Sequence, residues 1–203
     1  SFRDRILHNF GFKVSENIIL QVREYKNLLN QSFVMKSIVI PDAFPIPDLE
    51  EIVPIDQRKY FLFIGALRPV KRPDIFIELA SEFPENKFVM IGGPLADIDY
   101  YNMIKKRTNK IENLDFLGHV TRDKIGFYIS NAIALINTSD REGLPNTVTE
   151  SWSYGVPVIS LNINPDGLIE KLGYFCHNKK RKLSSSIQDI LNDHSNYKKL
   201  IKT

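Results

Sequence analysis

The sequence predicts a doubly wound, parallel α/β sheet of the Rossmann-like class. From residue 60 onward, short apolar runs alternate with amphipathic stretches. Each run is hydrophobic on successive residues rather than on alternate ones, as in strands that are buried on both faces. Strands that alternate with helices through short connections favour a parallel sheet with helices on both sides. The predicted strands lie in residues 60–67, 87–93, 114–120, 132–139 and 156–162.

The stretches between the predicted strands have helical spacing. After the first strand, Pro73 suits the first turn of a helix. The apolar positions of that helix recur at i, i+3, i+4 and i+7, namely Phe76, Leu79, Ala80 and Phe83. After the third strand, Thr121 is a suitable N-cap. The same spacing places a second helix on Ile125, Tyr128, Ile129 and Ala132.

Residues 1–57 have a different organisation. Residues 16–33 are typical of a short strand followed by a helix, and residues 36–44 of a second strand that stops at a proline. Residues 45–57 carry three prolines among acidic residues, which is typical of a linker. We therefore predict that residues 1–57 are the tail of an N-terminal domain plus a linker, with the start of that domain absent. Residues 58–203 are predicted to form the Rossmann-like domain.

Composition and charge narrow the function classes. The 203 residues are 43% hydrophobic and 25% charged, with a net charge of +3, which is ordinary for a globular protein. Lys and Arg form no stripe with interleaved aromatic residues, so we expect no nucleic-acid partner. No run approaches the roughly 20 apolar residues that span a bilayer. The first ten residues carry charges where a signal peptide has its apolar core, so we expect a cytoplasmic protein.

Two further features are better explained by structure than by chemistry. Cys176 is the single cysteine, which excludes an intrachain disulfide. Its apolar surroundings favour a small buried side chain over a nucleophile. The basic stretch of residues 177–183 is typical of a solvated loop, and a membrane-surface or phosphate-binding role is the alternative.

Four clusters with chemical potential follow predicted strands, and ligands of doubly wound sheets bind at the carboxyl ends of the strands. In the first cluster, Gly65 permits a close turn, and Arg68 and Lys71 place two cations before a helix. Two fixed cations near a helix N-terminus suit a diphosphate. Taken alone, this segment is better explained as a solvated basic loop.

The second and third clusters are built on glycine. Gly92 and Gly93 permit close approach of the backbone, but no G-x-G-x-x-G spacing supports an NAD-type site. The acids of residues 97–99 are predicted to cap a helix, with no metal bound. In the third cluster, Gly118 ends a strand, and the adjacent His119 either faces a ligand or is an ordinary hydrogen-bonded histidine.

The fourth cluster is a tight turn followed by a short helix. Residues 143–146, with the sequence Gly-Leu-Pro-Asn, form the predicted turn. Asn146 is a suitable N-cap, and Gly155 is suited to end the helix. Free backbone N–H groups of residues 143–148 would then form an anion site.

Two carboxylates flank this turn. Glu142 precedes it and Glu150 follows one turn into the predicted helix. Both could accept hydrogen bonds from hydroxyl groups on either side of a bound anion. A sugar nucleotide has that layout, and a pair of ordinary surface acids is the alternative.

Residues 142–160 resemble the E-x7-E segment of the retaining glycosyltransferases of family 4 (group 1), which have the two-domain GT-B architecture. Residues 61–80 and 114–139 are similar to the C-terminal, donor-binding domain of that family in order and spacing. The resemblance covers roughly residues 58–193. Residues 16–44 resemble the end of the family's N-terminal domain.

The resemblance implies a site for a nucleoside-diphosphate sugar. Glu150 corresponds to the second signature glutamate, which binds the ribose hydroxyls, and Glu142 to the first, which contacts the donor sugar near the reacting carbon. Lys71 matches the lysine that neutralises the leaving diphosphate. The family's arginine five positions earlier is Ala66 here, so Arg68 is expected to replace it. The other implied donor-binding residues are Gly65, Gly118, His119, Val120, Gly143, Leu144, Pro145, Asn146 and Thr147, with the backbone of 118–120 beside the base.

The resemblance also implies a reaction. We expect a retaining, metal-independent transferase of the hexosyltransferase type that uses a UDP-, GDP- or ADP-sugar and no cofactor. The glycan or lipid-linked acceptor would bind through the missing N-terminal domain, so the chain is expected to have little activity alone. The complete enzyme could be peripheral to a membrane. The alternatives are a non-catalytic nucleotide-binding or scaffolding module of the same fold and a sugar-nucleotide epimerase.

Overall fold

The computed structural model describes residues 10–29, 31–42, 45–95 and 97–192. The chain divides into two units, Ser1–Ala43 and Phe44–Thr203. This division precedes the boundary predicted near residue 57. Residues 193–203, at the end of the predicted Rossmann-like domain, lie outside the described ranges.

The first unit contains a strand–helix–strand arrangement, as predicted. Residues 10–14 form a short helix, α1. Strands β1 (Ile18–Leu20) and β2 (Ser37–Val39) pair in parallel. Between them lie a 3-10 helix (Arg23–Leu28) and the short α2 (Gln31–Val34), so the predicted helix is mostly a 3-10 helix.

The second unit is built on a six-stranded parallel sheet with the strand order β5-β4-β3-β6-β7-β8. Its strands are β3 (Tyr60–Ile64), β4 (Phe88–Ile91), β5 (Leu114–Gly118), β6 (Ala132–Asn137), β7 (Val158–Ser160) and β8 (Tyr174–Phe175). The first five lie inside the predicted apolar runs. The sixth was not predicted, since two residues give no periodic signal. The predicted parallel α/β sheet is confirmed.

Helices cover both faces of this sheet. They are α3 (Pro73–Glu82), α4 (Ile98–Thr108), α5 (Arg122–Ser130), α6 (Asn146–Ser153), α7 (Leu168–Leu172) and α8 (Lys180–Asn192). The chain moves outward from β3 to β5, crosses back through α5 and then moves the other way from β6 to β8. Right-handed crossovers place α3 and α4 on one face and α5 and α6 on the other. None of the helices within the described ranges has the length and apolar character needed to cross a bilayer.

The hydrophobic core lies between the sheet and the helix α3. Phe61 and Phe88 from neighbouring strands and Phe76 from α3 are completely buried. The ring centroids of Phe76 and Phe88 are 5.4 Å apart in an edge-to-face arrangement, which aromatic pairs favour. Pro73 occupies the first turn of α3, as predicted. The apolar spacing of the sequence therefore predicted the buried face of α3 correctly.

Several predicted helix ends are confirmed. Thr121 is the N-cap of α5, and Asp97 caps α4 by accepting a hydrogen bond of 2.8 Å from the N–H of Tyr100. Gly155 follows the C-cap of α6 with φ +62°. The N–H groups of Gly155 and Val156 donate to Trp152 O and Ser151 O, which is the Schellman pattern.

The solvated loop predicted for residues 177–183 is wrong for residues 180–183, whereas residues 177–179 form an exposed turn. Residues from Lys180 onward belong to α8, with Leu183 and Ile187 buried in the core. Lys180 Nζ lies 2.6 Å from Glu78 Oε2 on α3. The basic residues therefore lie on the outer face of an amphipathic helix, whose apolar spacing the sequence analysis did not use. Cys176 is fully buried, as predicted, and its Sγ lies 3.9 Å from Ser186 Oγ. Burial raises the pKa of its thiol to about 11.

The segment that precedes β3 is hydrogen-bonded to the rest of the second unit. The N–H of Val53 donates to Ser130 Oγ at 2.8 Å. The buried guanidinium of Arg58 donates to Val53 O at 3.1 Å and to Gly155 O at 2.8 Å. These bonds satisfy a charge that would be costly to bury without partners. Part of the predicted linker thus packs with the sheet unit.

Gly92 allows the loops after β3 and β4 to approach closely. A Cβ atom on Gly92 would lie 2.1 Å from the carbonyl oxygen of Gly65, which is closer than any real contact. A Cβ atom on Gly65 would meet nothing nearer than 3.8 Å. The close approach of the two loops therefore requires glycine at position 92 but not at position 65.

Substitution of Gly92 is expected to destabilise the protein. Gly92→Ala would force two loop backbones apart, and overpacking of this kind costs about 1–3 kcal/mol. Urea denaturation would measure the free energy of unfolding, with Gly65→Ala as the matched control. Equal stability of the two variants would show that the close approach is not a constraint.

Candidate functional site

The order of the strands creates a crevice between β3 and β6. The chain leaves β3 toward β4 and leaves β6 toward β7, on opposite sides, so the two following loops diverge at this switch point. Two hydrogen bonds tie these loops together at their base. Thr138 Oγ1 donates to Lys71 O at 2.7 Å, and the N–H of Asp140 donates to Val70 O at 2.9 Å. The loops are therefore fixed relative to each other.

The crevice brings together two of the predicted catalytic residues. Lys71 Nζ lies 2.6 Å from Glu142 Oε2. The other carboxylate oxygen of Glu142 accepts a short hydrogen bond from Ser139 Oγ. The side chains of Lys71 and Glu142 are 24% and 13% exposed. A cation and a carboxylate thus lie paired, with little solvent around them, where the two loops meet.

Arg72 supports the loop that carries Lys71. Its backbone is left-handed, with φ 49°. Its guanidinium binds Asp74 at 3.0 Å and Asp140 at 3.4 Å. The hydrogen bond with Asp74 raises the pKa of Arg72. Arg72 was not predicted as a site residue, although its position directly before Pro73 marks the start of α3.

Arg68, the third predicted catalytic residue, is not brought into this pair. Its side chain is exposed, and in the described part of the chain no ion pair involves it. Its carbonyl oxygen accepts a hydrogen bond from the N–H of Lys71 at 3.0 Å. Arg68 therefore lies on the same loop as Lys71, but within the described residues Glu142 forms its ion pair with Lys71 and not with Arg68.

The turn after Glu142 begins the helix α6, but the predicted N-cap is wrong. Pro145 is the N-cap, with φ −67° and ψ 137°, and Asn146 is the first helical residue. The reason is that the carbonyl of Pro145 accepts the first helical bond, from the N–H of Val148 at 2.9 Å. Asn146 is left with an exposed side chain.

The hydrogen bond from Val148 N–H to Pro145 O reduces the number of free N–H groups in the predicted backbone anion site. The N–H of Val148 is engaged, and Pro145 has no N–H. Among the described residues, no hydrogen bond is found from the backbone N–H groups of Gly143, Leu144, Asn146 and Thr147. Leu144 packs its side chain into the protein, which holds the turn in place. Four backbone donors remain for an anion.

Glu150 lies one turn into α6 and is paired with Arg122. Arg122 Nη1 lies 2.6 Å from Glu150 Oε2. The side chain of Glu150 is 9% exposed, whereas that of Arg122 is 64% exposed. Glu150 was predicted as a site residue from the sequence, whereas Arg122 was not. No local pattern could have found it, because the two residues are 28 positions apart.

The segment predicted to lie beside a base follows β5. Gly118 is left-handed, with φ +67°, a conformation that favours glycine. Its carbonyl accepts a hydrogen bond of 2.8 Å from the N–H of Gly92. His119 is exposed and lies over Gly93, and Val120 is half-exposed. The backbone after β5 is thus anchored to the loop after β4 and leaves His119 open.

The candidate site was compared with the possible metal-binding clusters and with a cavity of the described residues. Within residues 10–29, 31–42, 45–95 and 97–192, no cluster of His, Cys, Asp and Glu could hold a metal ion. A cavity of 460 Å³ lies elsewhere, against α5 and the end of α6, and its walls include Glu51, Asp123, Phe127 and Tyr154. None of the predicted site residues lines it. The geometry of the switch point, rather than cavity size, identifies the candidate site.

The chain is similar in sequence to known glycosyltransferases. WbnH of Escherichia coli, an O-antigen biosynthesis glycosyltransferase, is 28% identical over 139 residues, which cover 68% of this chain and 39% of WbnH. The chain thus spans about two fifths of the length of this relative.

Solved structures share the fold. A mutant of S. aureus TarM in complex with Fondaparinux, alpha-GlcNAc-glycerol and UDP aligns with a TM-score of 0.75 at 21% identity, over 92% of this chain and 39% of TarM. The C-terminal domain of the group 1 glycosyl transferase LpcC from Francisella tularensis aligns with a TM-score of 0.58 at 18% identity, over 75% of this chain and 83% of that domain. The fold is the Rossmann-like C-terminal half of a GT-B architecture, as predicted.

The family comparison covers most of the chain. The family described as "Glycosyl transferases group 1" matches residues 46–203. The match begins earlier than the predicted 58, in agreement with the bonds that join Val53 and Arg58 to the sheet unit. This protein therefore belongs to the group 1 glycosyl transferases.

Proposed function

We propose that this chain is the donor-binding part of a retaining, metal-independent glycosyltransferase of family 4. It would bind a UDP-, GDP- or ADP-sugar, without a cofactor, for transfer to a glycan or lipid-linked acceptor. The observation that carries the proposal is the Lys71–Glu142 pair at the switch point, beside the free N–H groups of the turn that follows. A cation and backbone N–H donors suit a diphosphate, and a carboxylate in the same crevice suits the hydroxyl groups of a sugar.

Lys71 is the proposed contact of the departing diphosphate. As the bond from the sugar to the diphosphate breaks, negative charge grows on the leaving oxygen. A preorganised cation and helix N-terminal N–H groups stabilise that charge without any rearrangement of solvent. Lys71 is already held by Glu142, so a bound diphosphate would share its ammonium group with that carboxylate. Arg68, exposed on the same loop, is proposed as a second contact.

The two glutamates are proposed to bind the two polyol ends of the donor. Glu142, held by Ser139 on one oxygen and by Lys71 on the other, would contact the sugar near its reacting carbon. Glu150 would accept hydrogen bonds from the ribose hydroxyls. The base would lie against the backbone of residues 118–120. The remaining part of a complete enzyme would hold the acceptor, so we propose that this chain alone transfers sugar poorly.

Nucleotide binding depends on Glu150 in this proposal. Titration calorimetry of the chain with UDP, GDP and ADP should show saturable binding of one nucleotide. Glu150→Ala should weaken it about tenfold or more, because a charged hydrogen bond contributes about 1.5–3 kcal/mol. Glu112→Ala, which removes an exposed acid after α4, is the matched control. Absence of binding by the folded wild-type chain would count against a donor site in this half.

The diphosphate contact can be tested separately with Lys71→Met. The affinity for the nucleoside diphosphate should fall about 10- to 150-fold, while the affinity for the monophosphate of the same nucleoside should change little. Lys59→Met, which removes an exposed cation before β3, should have no effect on either. Equal losses for both nucleotides would contradict the assignment, and a similar result with Arg68→Met would assign Arg68 as the second contact.

Glu142 should matter for transfer rather than for nucleotide affinity. In the complete protein, Glu142→Ala should lower the rate of diphosphate release from the donor at least about a hundredfold, the scale of one preorganised electrostatic contact. Nucleotide affinity in calorimetry should remain close to that of the wild type. Turnover that survives the substitution would remove Glu142 from the reaction.

A further inference from the structure

We propose that Arg122 is a positioning residue that holds Glu150 in the orientation needed to accept hydrogen bonds from the ribose hydroxyls. This inference rests on the proposed function and adds to it a residue that the E-x7-E motif does not contain. Arg122 is the first residue of α5, and Glu150 lies in the second turn of α6.

The contact itself is short and asymmetric. Arg122 Nη1 lies 2.6 Å from Glu150 Oε2. Among the described residues, no hydrogen bond reaches Glu150 Oε1. Among those residues, the side-chain polar atom that is both fully buried and without a hydrogen-bond partner is Trp152 Nε1. Glu150 Oε1 also lacks a partner among them, so it is not fully buried. Oε1 therefore keeps access to solvent, so one carboxylate oxygen is fixed by the guanidinium while the other is left for a ligand.

The difference in burial between Glu150 and Arg122 shows which of the two side chains the ion pair stabilises more. Glu150 is almost fully buried, and a buried carboxylate without a partner is strongly unfavourable. Arg122 is mostly exposed, so its charge is solvated whether or not the pair forms. The pair therefore stabilises Glu150 much more than Arg122. In structural terms, Arg122 holds the carboxylate of Glu150 in place.

The position of Arg122 in the chain links two proposed parts of the donor site. Residues 118–120, proposed to lie beside the base, are separated from Arg122 by Thr121 alone, and Thr121 is the N-cap of α5. The guanidinium then reaches across to Glu150 on α6. A single side chain thus connects the segment proposed for the base to the carboxylate proposed for the ribose, which sets the relative placement of the two contacts.

The experiment compares a nucleoside diphosphate with its 2′,3′-dideoxy analogue, which lacks the hydroxyls that Glu150 would bind. Calorimetry would measure the dissociation constants of both for the chain, with UDP, GDP or ADP chosen by the nucleotide that wild type binds. The readout is the ratio of the two affinities. A loss of fold or of phosphate attraction would change both affinities together and leave this ratio unaltered.

We expect the wild type to prefer the hydroxylated nucleotide and Arg122→Met to reduce that preference about tenfold, with little change in the affinity of the dideoxy analogue. Arg122→Gln, which keeps one hydrogen-bond donor, should give an intermediate ratio. Lys124→Met is the matched control, because Lys124 is an exposed cation in the same helical turn. It should leave the ratio unchanged.

The outcomes separate the two proposals. If the wild type prefers the hydroxylated nucleotide and Arg122→Met retains the full preference, the role of Arg122 is overturned while the donor site stands. Equal weakening of both nucleotides by Arg122→Met also overturns it. If the wild type binds none of the three nucleotides, or binds without preferring the hydroxyls, the proposed function fails and the role of Arg122 fails with it.

Discussion

The site depends on the parallel pairing of β3 with β6 and on the two hydrogen bonds that join the loops leaving them. Since both strands run in the same direction and their connections diverge, the loops open a crevice at one edge of the sheet. Thr138 and Asp140 bind the carbonyl oxygens of Lys71 and Val70, so the loop with the cation cannot move independently of the loop with the carboxylate. The Lys71–Glu142 pair, and the turn beyond it, have a defined position because of this connection.

Two ion pairs hold the carboxylates that are proposed to bind the donor, with little solvent around them. Glu142 is paired with Lys71 and Glu150 with Arg122, and each carboxylate is the more buried partner. Burial of a charge is tolerated when a partner of opposite charge is close, and such a pair has a definite geometry before any ligand arrives. An anionic ligand can then share the cation, while hydroxyl groups can share the carboxylates. On this physical basis, a site of preorganised charges can favour the proposed ligand, a sugar diphosphate.

Close packing of backbones surrounds these pairs. Gly92 meets the carbonyl of Gly65, and its N–H binds the carbonyl of Gly118. The loops after β3, β4 and β5 therefore form one connected edge. Because the anchoring contacts are made by backbone atoms, the side chains of Arg68 and His119 remain exposed. The edge is rigid at its base and open toward solvent.

The sequence by itself determined strands β1 to β7, the buried face of α3, the caps of α4 and α5 and the end of α6, because each of these follows from a local periodicity or from one residue type. It also contained the motif that indicated the family. The tertiary structure alone decided which charges pair. Arg122 and Glu150 are 28 positions apart, and Arg72 and Asp140 are 68 apart, so only the crossing of the chain brings them together. The cap of α6 at Pro145 and the start of α8 at Lys180 also differ from the predictions. The folded chain has both because Pro145 O accepts the first helical bond of α6 and because Leu183 and Ile187 of α8 are buried in the core.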